Sequence, residues 1–504
     1  MFFKERKSIM INRLVNALNS RENMKVTENG AIKKTSSGSA LYDMFALGGA
    51  YRTRSEADCI LLFKNAFEEA PLLALKCLFY LRDIRCGQGE RRFFRVCLKW
   101  LAIHHSDIVR KNLDNIAEYG RYDDLYTLVD TPLEKEMFKF IRNQINLDLE
   151  SKTPSLLAKW LKSENTSSAE SCALGNKTRI ALGLSHKQYR KVLSHLRQKI
   201  NIVERLMSAN QWDKIEFDKI PSKAGLIYRN AFARRDIIKE KYRAFAADTN
   251  TKVNAGTLYP YEVVQKAREC RWQGLQNTDR LMVNKYWDNL NADYFNDCSL
   301  NALAVVDTSG SMFGQPLNVA ISLGLYTADK AKGPFHNHFI SFSSRPTFIK
   351  CEGVDFVDKV DRIYQQNLCE NTNLEATFDL VLNTALQNRL SQSELPESLI
   401  VISDMEVDAM TKTRIFGTSR YKSFDVKTDM AAMRSKWERA GYKMPRLIYW
   451  NVDARNNTIL DESPDATFVS GCSASIFDQI LKGKTGLQLM YDKLNSDRYN
   501  AITL

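Results

Sequence analysis

The chain changes its hydrophobic period once, near Asn289, and that single change limits the folds open to it. From Leu41 to about Asn289 apolar residues recur at intervals of three and four, as in "EADCILLFKNAFEEAPLLALKCLFYLRDI", which Pro71 interrupts. Such spacing gathers them on one stripe of each helix, and "RRFFRVCLKWLAIHH" with "DIVRKNLDNIAEY", "YDDLYTLV" with "PLEKEMFKFIRNQINLDLE", and "SLLAKWLKSE" with "HKQYRKVLSHLRQKINIVERLM" continue it. Helix pairs of this kind stack into a solenoid with a continuous core, although no strict repeat is visible. After Asn289 the runs "SLNALAVVD", "ESLIVISD" and "PRLIYWNV" read as buried strands, and "HNHFISFSSRPTFIK" reads as two strands around a turn. Between them "PLNVAISLGLYTADKA", "NLEATFDLVLNTALQN" and "TDMAAMRSKWERAG" read as helices. Buried strands alternating with helices predict an open, parallel α/β sheet covered on both faces.

Residues 20–40 are polar, small and aperiodic, so 1–40 is expected to be a flexible arm, 41–290 a basic helical domain and 291–504 the α/β domain. At 504 residues the chain exceeds what one core supports, and 44% apolar with 26% charged residues is an ordinary globular composition. No run approaches the roughly 18 apolar residues of a membrane span. "MFFKERKSIM" lacks the apolar stretch of a secretion signal, and ten cysteines contain no C-x-x-C pair. A cytoplasmic protein with reduced thiols is expected. Residues 301–504 carry 22 Lys+Arg and 24 Asp+Glu, whereas residues 1–300 carry 50 and 35. The basic surplus lies wholly in the helical half, where it would attract a polyanion.

Asp307 ends the first buried strand, in "AVVDTSGSM". Asp-Thr-Ser-Gly could be one half of an aspartic-protease dyad, but no second copy exists and a helix follows too soon. Residue 309 is Ser, which removes the Asp-x-Asp of a phosphoaspartate enzyme. A divalent cation such as Mg²⁺ wants about six oxygens, and Asp307, Ser309 and Ser311 offer three from one loop. "LIVISD" ends in Asp404, and Thr372 precedes the next helix, so three loops could meet at the carboxyl edge of the sheet. This order resembles the von Willebrand factor A domain, whose Asp-x-Ser-x-Ser, distant Thr and distant Asp form a metal-ion-dependent adhesion site (MIDAS). The resemblance implies that Asp307, Ser309, Ser311 and Thr372 hold a divalent cation, with Asp404 acting directly or through water. Its open position would take a carboxylate from a protein partner, and Glu406 and Asp408 could tune it. Nothing there pairs a nucleophile with a base, so no enzymatic activity is expected. The histidines lack the spacing of a zinc site.

In the basic half "RDIRCGQGERR" sets Arg82, Arg85, Arg91 and Arg92 around Gly87 and Gly89 before a helix. Guanidinium groups and helix-terminal amides both suit phosphate, the alternative being an internal network with Asp83 and Glu90. "HKQYRKVLSHLRQK" interleaves Lys187, Tyr189, Arg190 and Arg197, which could stack a base and hold its phosphate or could form a solvated helix face. "YRNAFARRD" adds Arg229 and Arg234. A helical module ahead of an A-type domain resembles the Ro ribonucleoproteins, whose TROVE module of HEAT-like repeats meets a Rossmann-like A domain. "TENGAIKKTSSGSALYDMF", "FYLRDIRCGQGERR", "WDKIEFDKIPSKAGLIYRNAFARRD" and "VVDTSGSM" are more similar still to the domain-of-unknown-function family 2828. The resemblance implies a non-enzymatic protein that holds single-stranded ends or small structured RNA. A metal-dependent protein adaptor without RNA binding is the alternative.

Overall fold

The computed structural model describes residues 24–26, 32–200, 202–290, 301–330, 333–342, 346–366, 374–405, 429–455, 466–480 and 484–504. Within the expected arm, strand β1 (Met24–Val26) pairs antiparallel with β2 (Ile32–Lys34).

The helical half begins with the hairpin read from the sequence. Ser55 accepts a hydrogen bond from Asp58 N and caps the helix Glu56–Glu69, whose Cys59, Leu62, Phe63, Ala66 and Phe67 form one buried stripe. Ala70 breaks it, and Pro71 opens the next helix, Pro71–Arg82, where a missing N–H costs nothing. Four segments depart from expectation, one being "HKQYRKVLSHLRQKINIVERLM", which gives two helices, His186–Lys199 and Val203–Ser208. "DIVRKNLDNIAEY" is two helices, Ser106–Lys111 and Leu113–Tyr119, broken at Asn112, whose side-chain amide donates to Ile108 O and Thr503 O. "YDDLYTLV" is a 3₁₀ turn, Tyr122–Leu128, because Asp123 and Asp124 turn inward to arginines. "SLLAKWLKSE" gives only the single turn Leu157–Trp160.

The C-terminal half is a six-stranded sheet, β3 (Ala302–Asp307), β4 (His338–Phe342), β5 (Thr347–Lys350), β6 (Ser398–Ser403), β7 (Arg446–Asn451) and β8 (Thr467–Ser470), in the order β5-β4-β3-β6-β7-β8. It is mixed rather than wholly parallel, because β5 runs antiparallel to β4 at one edge. The central strands β3 and β6 are buried along their whole length, as their unbroken apolar runs require. The helix Gln315–Lys330 follows β3 and packs against it, buried on all sides from Val319 to Ala328.

The two halves pack into one body. Gly49 N donates to Ser470 Oγ at 3.0 Å, and a Cβ at Gly49 would lie 2.7 Å from Ser470 O, so only glycine lets this backbone meet β8. Trp287 stacks on Phe356 with ring centroids 4.0 Å apart. The C-terminal Arg498 pairs with Asp83 at 2.8 Å. Arg280 clasps Asp355 through two bonds of 2.7 Å, and Asp355 also caps the helix Phe356–Gln365. Asp355→Ala should therefore cost roughly 2–3 kcal/mol of stability, read as a lower urea midpoint at unchanged slope. Among the described residues no helix is long and apolar enough to cross a membrane, and the eight described cysteines are free thiols.

Candidate functional site

Two features stand out, one at the sheet edge and one between the halves. At the edge, β3 and β6 are adjacent and parallel, with Val306 opposite Ile402. Their carboxyl ends therefore bring Asp307 beside Ser403 and Asp404. Ser403 Oγ donates to Asp307 Oδ2 at 2.5 Å, and Ser309 N donates to Oδ1 at 2.9 Å. Both Asp307 and Asp404 are fully buried. Burial, reinforced by the neighbouring Asp404 charge, pushes the Asp307 carboxyl up to about 7, against the pull of the Ser403 and Ser309 bonds. Met405, next in the chain, has φ +64°, a conformation that a non-glycine residue adopts only under constraint.

The hydroxyls matter as much as the carboxylates. Ser309 Oγ and Ser311 Oγ are 3.0 Å apart. Two neighbouring ligands of an octahedral ion with bonds of about 2.1 Å are separated by about 3.0 Å, so the pair is spaced to share one small hard cation. Among the described residues no three His, Cys, Asp or Glu converge on a point, so a cation here must draw on these hydroxyls. Arg455, just past β7, already brings positive charge. Its Nε lies 3.6 Å from Asp404 Oδ2 and 3.7 Å from Asp453 Oδ2, and its Nη2 donates to Ser311 O. Sequence reading missed Arg455, because nothing in "NVDARNN" marks it as facing two carboxylates. Thr372, Glu406 and Asp408 lie outside the described residues.

The second feature is a cavity of about 1070 Å³ walled chiefly by the helical half and closed by Tyr326 and Ser473–Ser475 from the sheet half. Seven arginines and four lysines line it against four glutamates, a surplus of seven positive charges. Arg85, Arg91 and Arg92 from the sequence reading are in this wall, and so is one edge of Arg82. Reading missed Arg52, Arg95, Arg121, Lys159, Lys214, Lys219 and Lys223, which reach it from separate segments.

The "RCGQGE" turn does not offer its amides. Gln88 N donates to Tyr80 O, Gly89 N to Asp83 O and Glu90 N to Leu81 O. Glu90 Oε1 caps the helix Arg92–His104 by accepting from Arg92 N and Phe93 N, while its Oε2 binds Arg52 at 2.7 Å. Gly89 has φ +64°, and a Cβ there would strike Tyr259 Oη at 2.1 Å. The internal network is thus real at the backbone, and the turn's cations meet the cavity through their side chains.

Four expected contacts are corrected by burial or by internal bonds. Arg82 is 1% exposed and held by Asp124 at 2.7 Å. Arg229 is buried between Glu269 and Asp279, at 2.9 and 2.6 Å. Tyr189 is wholly buried with its hydroxyl on Lys162 O, so it cannot stack a base. Arg197 donates to Ala158 O, Leu161 O and Ser163 Oγ, tying down the end of a helical turn. Lys187, Arg190 and Arg234 are exposed, outside the cavity lining.

Fold and sites together define a two-part chain in which a basic helical region and an α/β sheet share the wall of one cavity. Comparison with known proteins divides it the same way: residues 301–498 match a domain of unknown function, DUF7788, and residues 27–181 and 153–294 match another, DUF2828. The chain belongs to the DUF2828 family. It is also similar to "Uncharacterized protein L728" of Acanthamoeba polyphaga mimivirus, with 30% identity over 510 residues, covering 92% of this chain and 85% of that protein.

Proposed function

We propose that this chain is a cytoplasmic, non-enzymatic RNA-binding protein organised like the Ro ribonucleoproteins, with a HEAT-like, TROVE-like helical region and a von Willebrand factor A-like domain. The observation that carries the reading is the surplus of seven positive charges around a cavity large enough for several nucleotides. Phosphates entering it would release condensed counterions, and the low-dielectric wall would strengthen each contact. The ligand is single-stranded RNA or an unpaired end, whose phosphates and bases are both free to meet the cavity wall. Lys187, Arg190 and Arg234 would meet the strand outside. Filter retention of a single-stranded oligonucleotide should fall steeply with salt, with a logarithmic slope near −4 if about six phosphates are held. Salt-independent retention, or none at low salt, overturns this reading.

The sheet-edge site would hold Mg²⁺ or a similar cation through Asp307, Ser309, Ser311 and Asp404, with Thr372 as the further ligand. Such an ion would add positive charge beside the buried Asp307 carboxyl, to which Arg455 makes no ion pair among the described residues. The hydroxyl bonded to Asp307, Ser403, is fully buried, which suits binding rather than turnover. Arg455 opposes an incoming cation, so Arg455→Gln should tighten Mn²⁺ binding several-fold by paramagnetic titration; weaker binding would make Arg455 a positioning residue instead. A second reading, a metal-dependent adaptor for an acidic protein partner, is favoured by Phe313, which is 84% exposed two residues beyond Ser311. Loss of a protein partner on chelation, with no RNA retained at low salt, would select it.

A further inference from the structure

One part of the cavity wall is built more tightly than a general basic surface needs. Asp124 accepts Arg82 Nε at 2.8 Å and the Arg121 amide at 3.0 Å on one oxygen, and Arg95 Nε at 2.6 Å on the other. Asp123 takes Arg121 Nε and Nη2 at 2.8 and 2.6 Å, and Arg95 Nη2 at 3.0 Å. Three guanidinium groups therefore already occupy both carboxylates. Arg121 is fixed further by stacking 4.0 Å over the Trp160 ring.

Arg91 is the fourth guanidinium. Among the described residues no carboxylate lies within ion-pair distance of it, and it lines the cavity. Partial desolvation by the cavity wall, and then the charges of Arg121, Arg95 and Arg82, hold its pKa below the usual arginine value although its side chain keeps contact with solvent. Four positive groups against two negative ones leave two charges unanswered at one place in the wall. An internal phosphodiester brings one negative charge, whereas a terminal phosphate brings nearly two at pH 7. The helix amides beside Arg91 are already capped by Glu90, so an anion must be held by side chains, for which guanidinium forks are suited.

We propose that Arg91, with Arg95 and Arg121 beside it, forms a socket for the terminal phosphomonoester of an RNA strand, so that the cavity recognises phosphorylated ends. The inference rests on the RNA-binding reading and names what that site prefers.

The test uses the full chain and internally labelled oligouridylates ending in a 5′-phosphate, a 3′-phosphate or hydroxyls at both ends, followed by fluorescence anisotropy. One phosphorylated end should bind about tenfold tighter than the hydroxyl form. Arg91→Gln should erase that advantage with an unchanged melting temperature, while Lys135→Gln, an equal charge change at an exposed position outside the cavity lining, should keep it. Equal affinity for all three strands, or an Arg91→Gln loss shared equally by them, overturns the socket. Calorimetric titration with uridine 5′-monophosphate, uridine and inorganic phosphate gives a reading that needs no grip on a strand. Binding of the monophosphate but not uridine, lost in Arg91→Gln, supports the socket even if oligonucleotides are not retained, in which case the broader RNA reading alone fails. Absence of monophosphate binding, or inorganic phosphate binding as tightly as the monophosphate, overturns it.

Discussion

Replacing Arg91, Lys214 and Lys223 together by Glu is expected to lower single-stranded RNA affinity by a factor on the order of 10² to 10³ near physiological salt, about 3–4 kcal/mol. All three are exposed and line the cavity. The salt slope should fall at the same time from near −4 to about −2, because each lost phosphate contact removes roughly 0.7. Exposed lysines and arginines contribute little to folding, so the melting temperature should stay within a few degrees. Reversing Lys187 and Arg190 on the outer helix should change the slope only by their own contacts. If the triple variant binds RNA as wild type does, the strand does not enter the cavity.

The second large effect belongs to Asp307. Its carboxyl sits at about 7 in the fold, against roughly 3.9 in an unfolded chain, because burial and the Asp404 charge disfavour ionisation. A raised folded value means that the native state keeps a proton the unfolded state has released. The stabilisation from this group is then complete below about pH 4 and is lost as pH rises to 7. In chelator, three units correspond to about 4 kcal/mol. Urea unfolding at pH 4.5 and 7.5 should show that loss superimposed on other titrations, and Asp307→Asn should remove it. Mg²⁺ at pH 7.5 should restore stability to wild type and not to Asp307→Asn, since only the ionised site gains from a cation. An unchanged pH profile in Asp307→Asn would show that the carboxylate pair is neutralised from within.

Much of the sheet edge was legible from the chain. "AVVD" and "LIVISD" are unbroken apolar runs, which central parallel strands must be, and each ends in the carboxylate that the topology carries to the rim. The strand Thr467–Ser470 and the helix Phe356–Gln365 were not read; four residues are too few to show a period, and the helix follows a strand with little warning. The helix His186–Lys199 was misread in a different way. Tyr189, Leu193 and Leu196 recur at four and three residues, so the aromatic belongs to the buried stripe and only the cations between face water. The cavity was the least legible feature. Its lining comes from segments between Arg52 and Ser475, and a charge count places the surplus in a half of the chain without saying which cations are spent on neighbouring carboxylates. Arg82 and Arg229 are spent in this way, and Arg91 is the residue that the count could not single out.

The claim on which the rest depends is that RNA lies inside the space between the two halves. Photocrosslinking a 4-thiouridine oligonucleotide to the intact protein, followed by mass spectrometric mapping, addresses it most directly. Adducts on cavity residues such as Trp160, Tyr259 and Tyr261 are the expected result. Adducts confined to the outer surface of the helices, around Lys187 and Arg234, would contradict it.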